Sequence, residues 1–147
     1  MALSERYSTV SAFVLHAKPY QETSSILQVF TRESGRISII AKGLRNKKSQ
    51  SRKAKLQPFN PLELSFTGKG ELKTLIDCER VNQLPSSVHF NHDYLACGFY
   101  LNELIIRALP EWESFPNLFD VYSEALLRLT TEPFGTVLRK FEVELLA

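Results

Sequence analysis

The chain has 147 residues, 44% of them hydrophobic and 23% charged. That length suits one domain, or one small domain plus part of another, and excludes a large two-domain enzyme. The composition is that of a soluble globular chain, and its formal net charge of +2 hides an asymmetry: residues 1–80 hold 14 Lys and Arg against 7 Asp and Glu, residues 81–147 only 4 against 9.

At the N-terminus, Glu5 stands where a secretory signal needs a basic region followed by an apolar run, so the expected location is the cytoplasm. The longest apolar runs fall far below the ~18–20 residues that cross a bilayer. Two cysteines, Cys78 and Cys97, fit a reducing compartment. Residues 9–16, 24–31 and 36–41 are rich in Val, Ile, Phe, Ser and Thr and read as strands, with a hairpin turn at Glu33-Ser34-Gly35-Arg36. Leu62, Leu64 and Phe66 alternate with Glu63, Ser65 and Thr67, which gives a fourth strand one apolar face. Gly68-Lys69-Gly70 turns the chain into a fifth strand over 71–79, with Leu72 and Ile76 expected on one face. Five strands in so short a stretch suit a small closed barrel, because closure removes exposed edges.

Beyond Val81 the period changes to that of helices, with Leu84-Pro85-Ser86-Ser87 as the boundary. Asn91 is placed to cap a helix running to Leu109, striped by Tyr94, Gly98, Leu101, Ile105 and Ala108 and ended by Pro110. Ser114 and Pro116 open a second helix, with Leu118, Tyr122, Ala125, Leu126 and Leu129 as its buried face. A third starts near Gly135, and its stripe of Val137, Leu138, Phe141 and Leu145 is still running when the sequence ends, so the helical part is expected to be incomplete. The fold class is therefore α+β, with a barrel domain over 1–83 and the first helices of a helical domain over 84–147.

Catalytic motifs are sparse. The sequence contains no Gly-rich phosphate loop, no Gly-x-Ser-x-Gly and no His-Glu-x-x-His. His89, His92 and Cys97 lack the paired spacing of a structural zinc site, so neither metal nor cofactor is expected. Glu22, Glu33 and Asp77 read as surface carboxylates. The outstanding feature is residues 42–55 (KGLRNKKSQSRKAK), where Lys42, Arg45, Lys47, Lys48, Arg52, Lys53 and Lys55 occur with no acid among them. Mutual repulsion disfavours such a cluster unless an anion shares it, and a polyphosphate chain is such an anion. Tyr7, Tyr20 and Phe59 are expected at strand ends or loops, where they can stack on bases; Phe13, Phe30 and Phe66 are expected in the core.

Several of these residues occur in an order that resembles a known family. Val14-Leu15 with Pro19, Glu22-Thr23-Ser24, Phe30-Thr31, Gly35-Arg36, Ala41-Lys42-Gly43 with Arg45, and Leu56-Gln57-Pro58-Phe59 are similar to the N-terminal signature of the RecO family of bacterial recombination mediators. The similarity continues through Tyr100-Leu101-Asn102-Glu103-Leu104 and Leu138-Arg139-Lys140-Phe141-Glu142. The resemblance implies an OB-fold barrel followed by helices and a non-enzymatic role in DNA repair and recombination. It implies binding to single- and double-stranded DNA, annealing of complementary strands, and help in loading RecA onto DNA coated by single-stranded DNA-binding protein (SSB), together with RecR. It also implies a later helical portion, which in some members carries a cysteine-ligated zinc. Lys42 and Arg45 match the family motif, and Arg36 and Arg32 are expected as secondary DNA contacts. The family binds the acidic, Phe-ending tail of SSB on its helical part; Arg139 and Lys140 beside Val137 and Phe141 match that need in residue type. A protein-docking adaptor acting through the helices, with an incidental basic loop, and an RNA-binding barrel are the other readings.

Overall fold

The computed structural model describes residues 7–81 and 91–146. Five strands form the barrel: β1 (Tyr7–Tyr20), β2 (Ser24–Thr31), β3 (Gly35–Ala41), β4 (Leu62–Thr67) and β5 (Leu72–Arg80). They close in the order β1-β2-β3-β5-β4. All neighbours are antiparallel except β3 and β5, which run parallel, and a short helix, α1 (Gln50–Lys55), lies in the connection between β3 and β4. This is a five-stranded closed β-barrel of the OB type, and with the helices that follow it the chain is α+β. Alternation fills it: Val10, Ala12, Val14, Leu27, Val29, Ile37, Ile39, Leu62, Leu64 and Phe66 point inward and are buried.

Two departures from alternation have local causes. On β5 the inward residues are Leu75 and Cys78, not Leu72 and Ile76, which are 40% and 50% exposed. The β4–β5 register jumps from Ser65↔Asp77 to Phe66↔Leu75, so an extra residue on β5 leaves Ile76 outside the barrel. A second jump, between Val14 and His16 on β1, reverses the phase beyond it, so that His16 and Lys18 pair with the outward positions Gln28 and Ile26, while Phe13 and Leu15 keep the outward phase set by Ala12 and Val14 and meet the helices.

The helices are α2 (His92–Ala108), α3 (Pro116–Arg128) and α4 (Phe134–Leu146). Asn91 caps α2 by accepting the Tyr94 N–H at 2.9 Å. Pro116 opens α3, but the Ser114 hydroxyl donates to the Arg32 carbonyl at 3.2 Å instead of capping the helix. Ala108 is exposed, and Asn102 takes a buried place on α2. Phe13, Leu15, Phe30 and Phe59 from the barrel half join Leu101, Ile105, Phe119, Tyr122 and Phe141 in one apolar cluster, so the two halves share a core. Phe13 meets Tyr122 edge-on at 5.0 Å, and Phe30 meets Phe119 at 5.4 Å. Asn102 donates to the Leu15 carbonyl at 3.1 Å and accepts from the Tyr122 hydroxyl at 2.5 Å, so the polar groups buried at the junction are paired.

A segment joining α2 to α3 lies across β3. The Trp112 N–H donates to the Arg36 carbonyl at 2.9 Å, and the Trp112 indole packs on Phe66 while its Nε1 donates to the Glu71 carbonyl at 3.2 Å. A side chain at Gly35 would come within 1.9 Å of the Glu113 carbonyl, and Gly35 itself has φ +72°, so both the turn and the close approach demand glycine. The expected boundary at Leu84-Pro85-Ser86-Ser87 and the residue His89 lie outside the described residues.

Candidate nucleic-acid interface

The basic segment is held to the barrel by apolar residues near its two ends. Leu44 and Leu56 are 6% and 4% exposed and belong to the barrel core. Between them the chain makes a short 3-10 turn (Lys47–Ser49) and then α1. The Asn46 side chain accepts from the Lys48 N–H at 3.3 Å, and the Ser49 hydroxyl donates to the Gly43 carbonyl at 2.9 Å. At the other end Asn60 donates to the carbonyls of Ala54 and Lys55, each at 3.1 Å, which satisfies the C-terminus of α1. With both leucines turned inward, the polar residues between them face solvent.

The seven cations differ in how far they are engaged. Lys42, Arg45, Lys47 and Lys48 are exposed, and Arg52, Lys53 and Lys55 are half-buried. Lys55 pairs with Glu79 at 3.3 Å, and Arg52 makes a long bond of 3.4 Å to the Lys42 carbonyl. Lys42, Lys47, Lys48 and Lys53 have no ion pair among the described residues. Arg45 is committed to backbone: Nε donates to the Ser24 carbonyl at 2.9 Å and Nη2 to the Gln21 carbonyl at 2.7 Å, while its N–H donates to the Thr23 carbonyl at 2.7 Å. It thereby ties the β1–β2 turn to the basic segment.

Arg32 and Arg36 lie at the other end of the β2–β3 hairpin, about 20 Å of strand from Lys42 at ~3.3 Å per residue. Arg32 forms a two-pronged bond to Asp120 on α3, with both N···O distances 3.0 Å. That bond raises the guanidinium pKa and lowers the carboxyl pKa. Arg36 donates to the Leu109 carbonyl at 3.0 Å and to Gln28 Oε1 at 2.8 Å, with Glu111 at 3.9 Å. The structure thus brings the segment 42–55 together and sets these two arginines apart.

Lys18 escaped the sequence reading because it stands alone among uncharged neighbours. Register places it opposite Ile26, which is opposite Ile40, so exposed Lys18 lies about 10 Å across two strands from β3, near Lys42. Alternation from Val10, Ala12 and Val14 would have put Lys18 inside the barrel; the register jump after Val14 brings it out, and that jump depends on pairing with β2. Phe59 corrects an expectation: it is 1% exposed, with φ +75°, and its ring lies 5.9 Å from Tyr94 and 5.1 Å from Phe99. A Cβ on Gly98 would fall 2.6 Å from that ring. Phe59 therefore fastens the end of the basic segment to α2 and offers no face to a base. Tyr20 is half-buried, and the Tyr7 side chain lies outside those described.

Among the helices, Val121, Ala125, Val137 and Phe141 floor a groove between α3 and α4, with Glu124, Arg128 and Lys140 at its rim. Val137 and Phe141 are 3% and 1% exposed, so they shape the groove floor from within the core. Arg128 is paired with Glu124 at 2.5 Å and Glu132 at 3.7 Å; exposed Arg139 reaches toward Glu142 at 3.9 Å and borders a neighbouring hollow. His92 and Cys97 both lie on α2, and the described residues hold no group of three or more His, Cys, Asp or Glu placed to bind a metal ion. No described helix is long and apolar enough to cross a membrane.

Residues 4–84 match the family model described as Recombination protein O N terminal, and residues 89–147 match Recombination protein O C terminal. A DNA repair protein RecO of Cupriavidus metallidurans is 48% identical over 143 residues, covering 96% of this chain and 46% of that protein. One from Polynucleobacter necessarius is 45% identical over 148 residues, covering 97% and 59%. One from Nitrosococcus oceani is 43% identical over 137 residues, covering 92% and 54%. The chain spans about half the length of the curated relatives it matches.

Proposed function

Because the chain belongs to the RecO family of DNA repair proteins, we propose that its barrel binds single- and double-stranded DNA through the segment 42–55 and anneals complementary strands without catalytic turnover. The observation that carries this reading is the group of four lysines, Lys42, Lys47, Lys48 and Lys53, with no ion pair among the described residues, on a segment pinned by Leu44 and Leu56. Cations held outward in this way lower the repulsion between two phosphate chains while base edges stay free to pair, so sequence preference is low. In the cytoplasm the same activity would serve recombinational repair by helping RecA onto SSB-coated strands, with RecR.

Replacing Lys47, Lys48, Arg52 and Lys53 together by Ala tests it. In titrations of labelled single-stranded DNA across several salt concentrations, the slope of log affinity against log salt is expected to flatten by roughly 0.7 for each phosphate that the variant no longer neutralises. Unchanged affinity and slope would defeat the reading and favour the protein-docking adaptor; competition with a matched RNA strand tests the choice of nucleic acid.

A second reading concerns the helical half and is supported by the groove between α3 and α4. Its apolar floor with Lys140 at the rim supports an acidic peptide that ends in an aromatic residue, as the SSB tail does, provided that the peptide displaces Glu124 from Arg128 on the same rim. Arg139, in the adjoining hollow, would attract the acidic residues preceding that end.

A further inference from the structure

The outer face of β2 and β3 is where OB barrels commonly take a strand of nucleic acid, and half of it here carries an acid from elsewhere in the chain. Successive outward positions on β3 run Ile40, Ser38, Arg36, leading away from Lys42 at the strand's end. Ser38 lies opposite Gln28 on β2, and the three polar side chains are joined: Gln28 Nε2 donates to Ser38 Oγ at 2.7 Å, and Arg36 Nη1 donates to Gln28 Oε1 at 2.8 Å. Into this group comes Glu111. Ser38 Oγ donates to its Oε2 at 2.8 Å, and Arg36 Nη1 stands 3.9 Å from the same oxygen.

We propose that Gln28, Ser38 and Arg36 form a phosphate-binding cup on the barrel's outer face, and that Glu111 is its tethered occupant, competing with a phosphate of the incoming strand. The inference rests on the DNA-binding reading and extends it to a second patch and a built-in competitor. Three features support it. The Arg36 side chain is only 16% exposed, so its charge sits where an anion gains most from it, yet its separation from Glu111 exceeds a hydrogen bond and leaves guanidinium N–H groups for another acceptor. Glu111 is 37% exposed, so its side chain can swing into solvent. The backbone behind it stays in place, because Trp112 is bonded to the Arg36 and Glu71 carbonyls. Vacating the cup therefore moves one side chain and no fold element.

The test is Glu111→Gln, which keeps the acceptor for Ser38 and removes the charge, read in two ways. Titration with inorganic phosphate, followed by NMR at the Arg36 Nη–H groups, is expected to shift those resonances in the variant at concentrations that leave the unsubstituted protein unmoved. Single-stranded DNA is expected to bind the variant severalfold more tightly, with a salt slope steeper by roughly 0.7, and a further Arg36→Gln should abolish both gains. Glu113→Gln, on the same segment, removes an equal charge from a side chain that has no bond to Gln28, Ser38 or Arg36 among the described residues, and serves as the control. Absence of an Arg36 shift in Glu111→Gln would overturn the proposal, as would Glu113→Gln tightening DNA equally. If phosphate moves Arg36 in the variant while neither protein binds DNA, the cup stands and the DNA reading falls.

Discussion

At the scale of single residues, Arg45 holds the backbone together more than it presents a charge. Its guanidinium spans the carbonyls of Gln21 and Ser24, and Gln21 has φ +55°, a conformation that a non-glycine residue keeps only when its surroundings hold it. Lysine, with a compact ammonium in place of a planar fork, cannot bridge two acceptors in that geometry. Arg45→Lys is therefore expected to preserve net charge yet loosen the β1–β2 turn, seen as faster amide hydrogen exchange at residues 21–24 and at Arg45. Equal exchange in the two proteins would leave the guanidinium no holding role. Lys47, by contrast, has no side-chain partner among the described residues, and at that position Arg in place of Lys should leave exchange unchanged.

Among the elements, α2 was the most legible from the sequence, because its start and stop signals are local. Asn91 accepts the Tyr94 N–H, so Asn91→Ala is expected to lower stability by about 1 kcal/mol and Asn91→Gly by only a few tenths. Urea midpoints at constant slope would measure both, and an unshifted midpoint for the Ala variant would show the cap bond to be inert. The barrel was legible for a similar reason: alternation over 62–67 survives folding unchanged, as it requires no partner to be known. Where the reading went astray, distant neighbours had decided the outcome. On β5, Leu72 and Ile76 are spaced to share a face, but the extra residue that leaves Ile76 outside depends on pairing with β4. Helix α1 has no buried residue, so nothing periodic announced it; Leu44 and Leu56 pin its flanks. The cations of the interface were visible as a cluster, whereas their division into engaged and free was hidden: the partners of Arg45 lie 21 and 24 residues away and that of Arg32 lies 88.

For the whole molecule, the question is how firmly a basic barrel and an acidic set of helices are joined. Most of the junction is apolar, through Phe13, Phe30, Phe119 and Tyr122, and is insensitive to pH. Arg32 and Asp120 add an ionic contact at its edge, with side chains 46% and 55% exposed, so its contribution is small and screened by salt. Its sign follows from the Asp120 carboxyl, which the hydrogen bond from Arg32 lowers below the ordinary value near ~4. A carboxyl lowered on folding stabilises the folded state fully above its unfolded pKa, and loses that contribution as pH falls through the lowered value. The stability difference between the unsubstituted protein and Asp120→Asn should therefore be constant from neutral pH down to about 5, shrink below about 4, and close in stronger acid. Trp112, the only tryptophan, lies on the segment crossing β3 and reports this by fluorescence; far-UV circular dichroism reports the helices in parallel. With one core shared by both halves, the two signals should give a single transition at each pH. A difference that persists unchanged into acid would mean that Asp120 acts there through its shape and hydrogen bonding, with its charge contributing nothing to the junction.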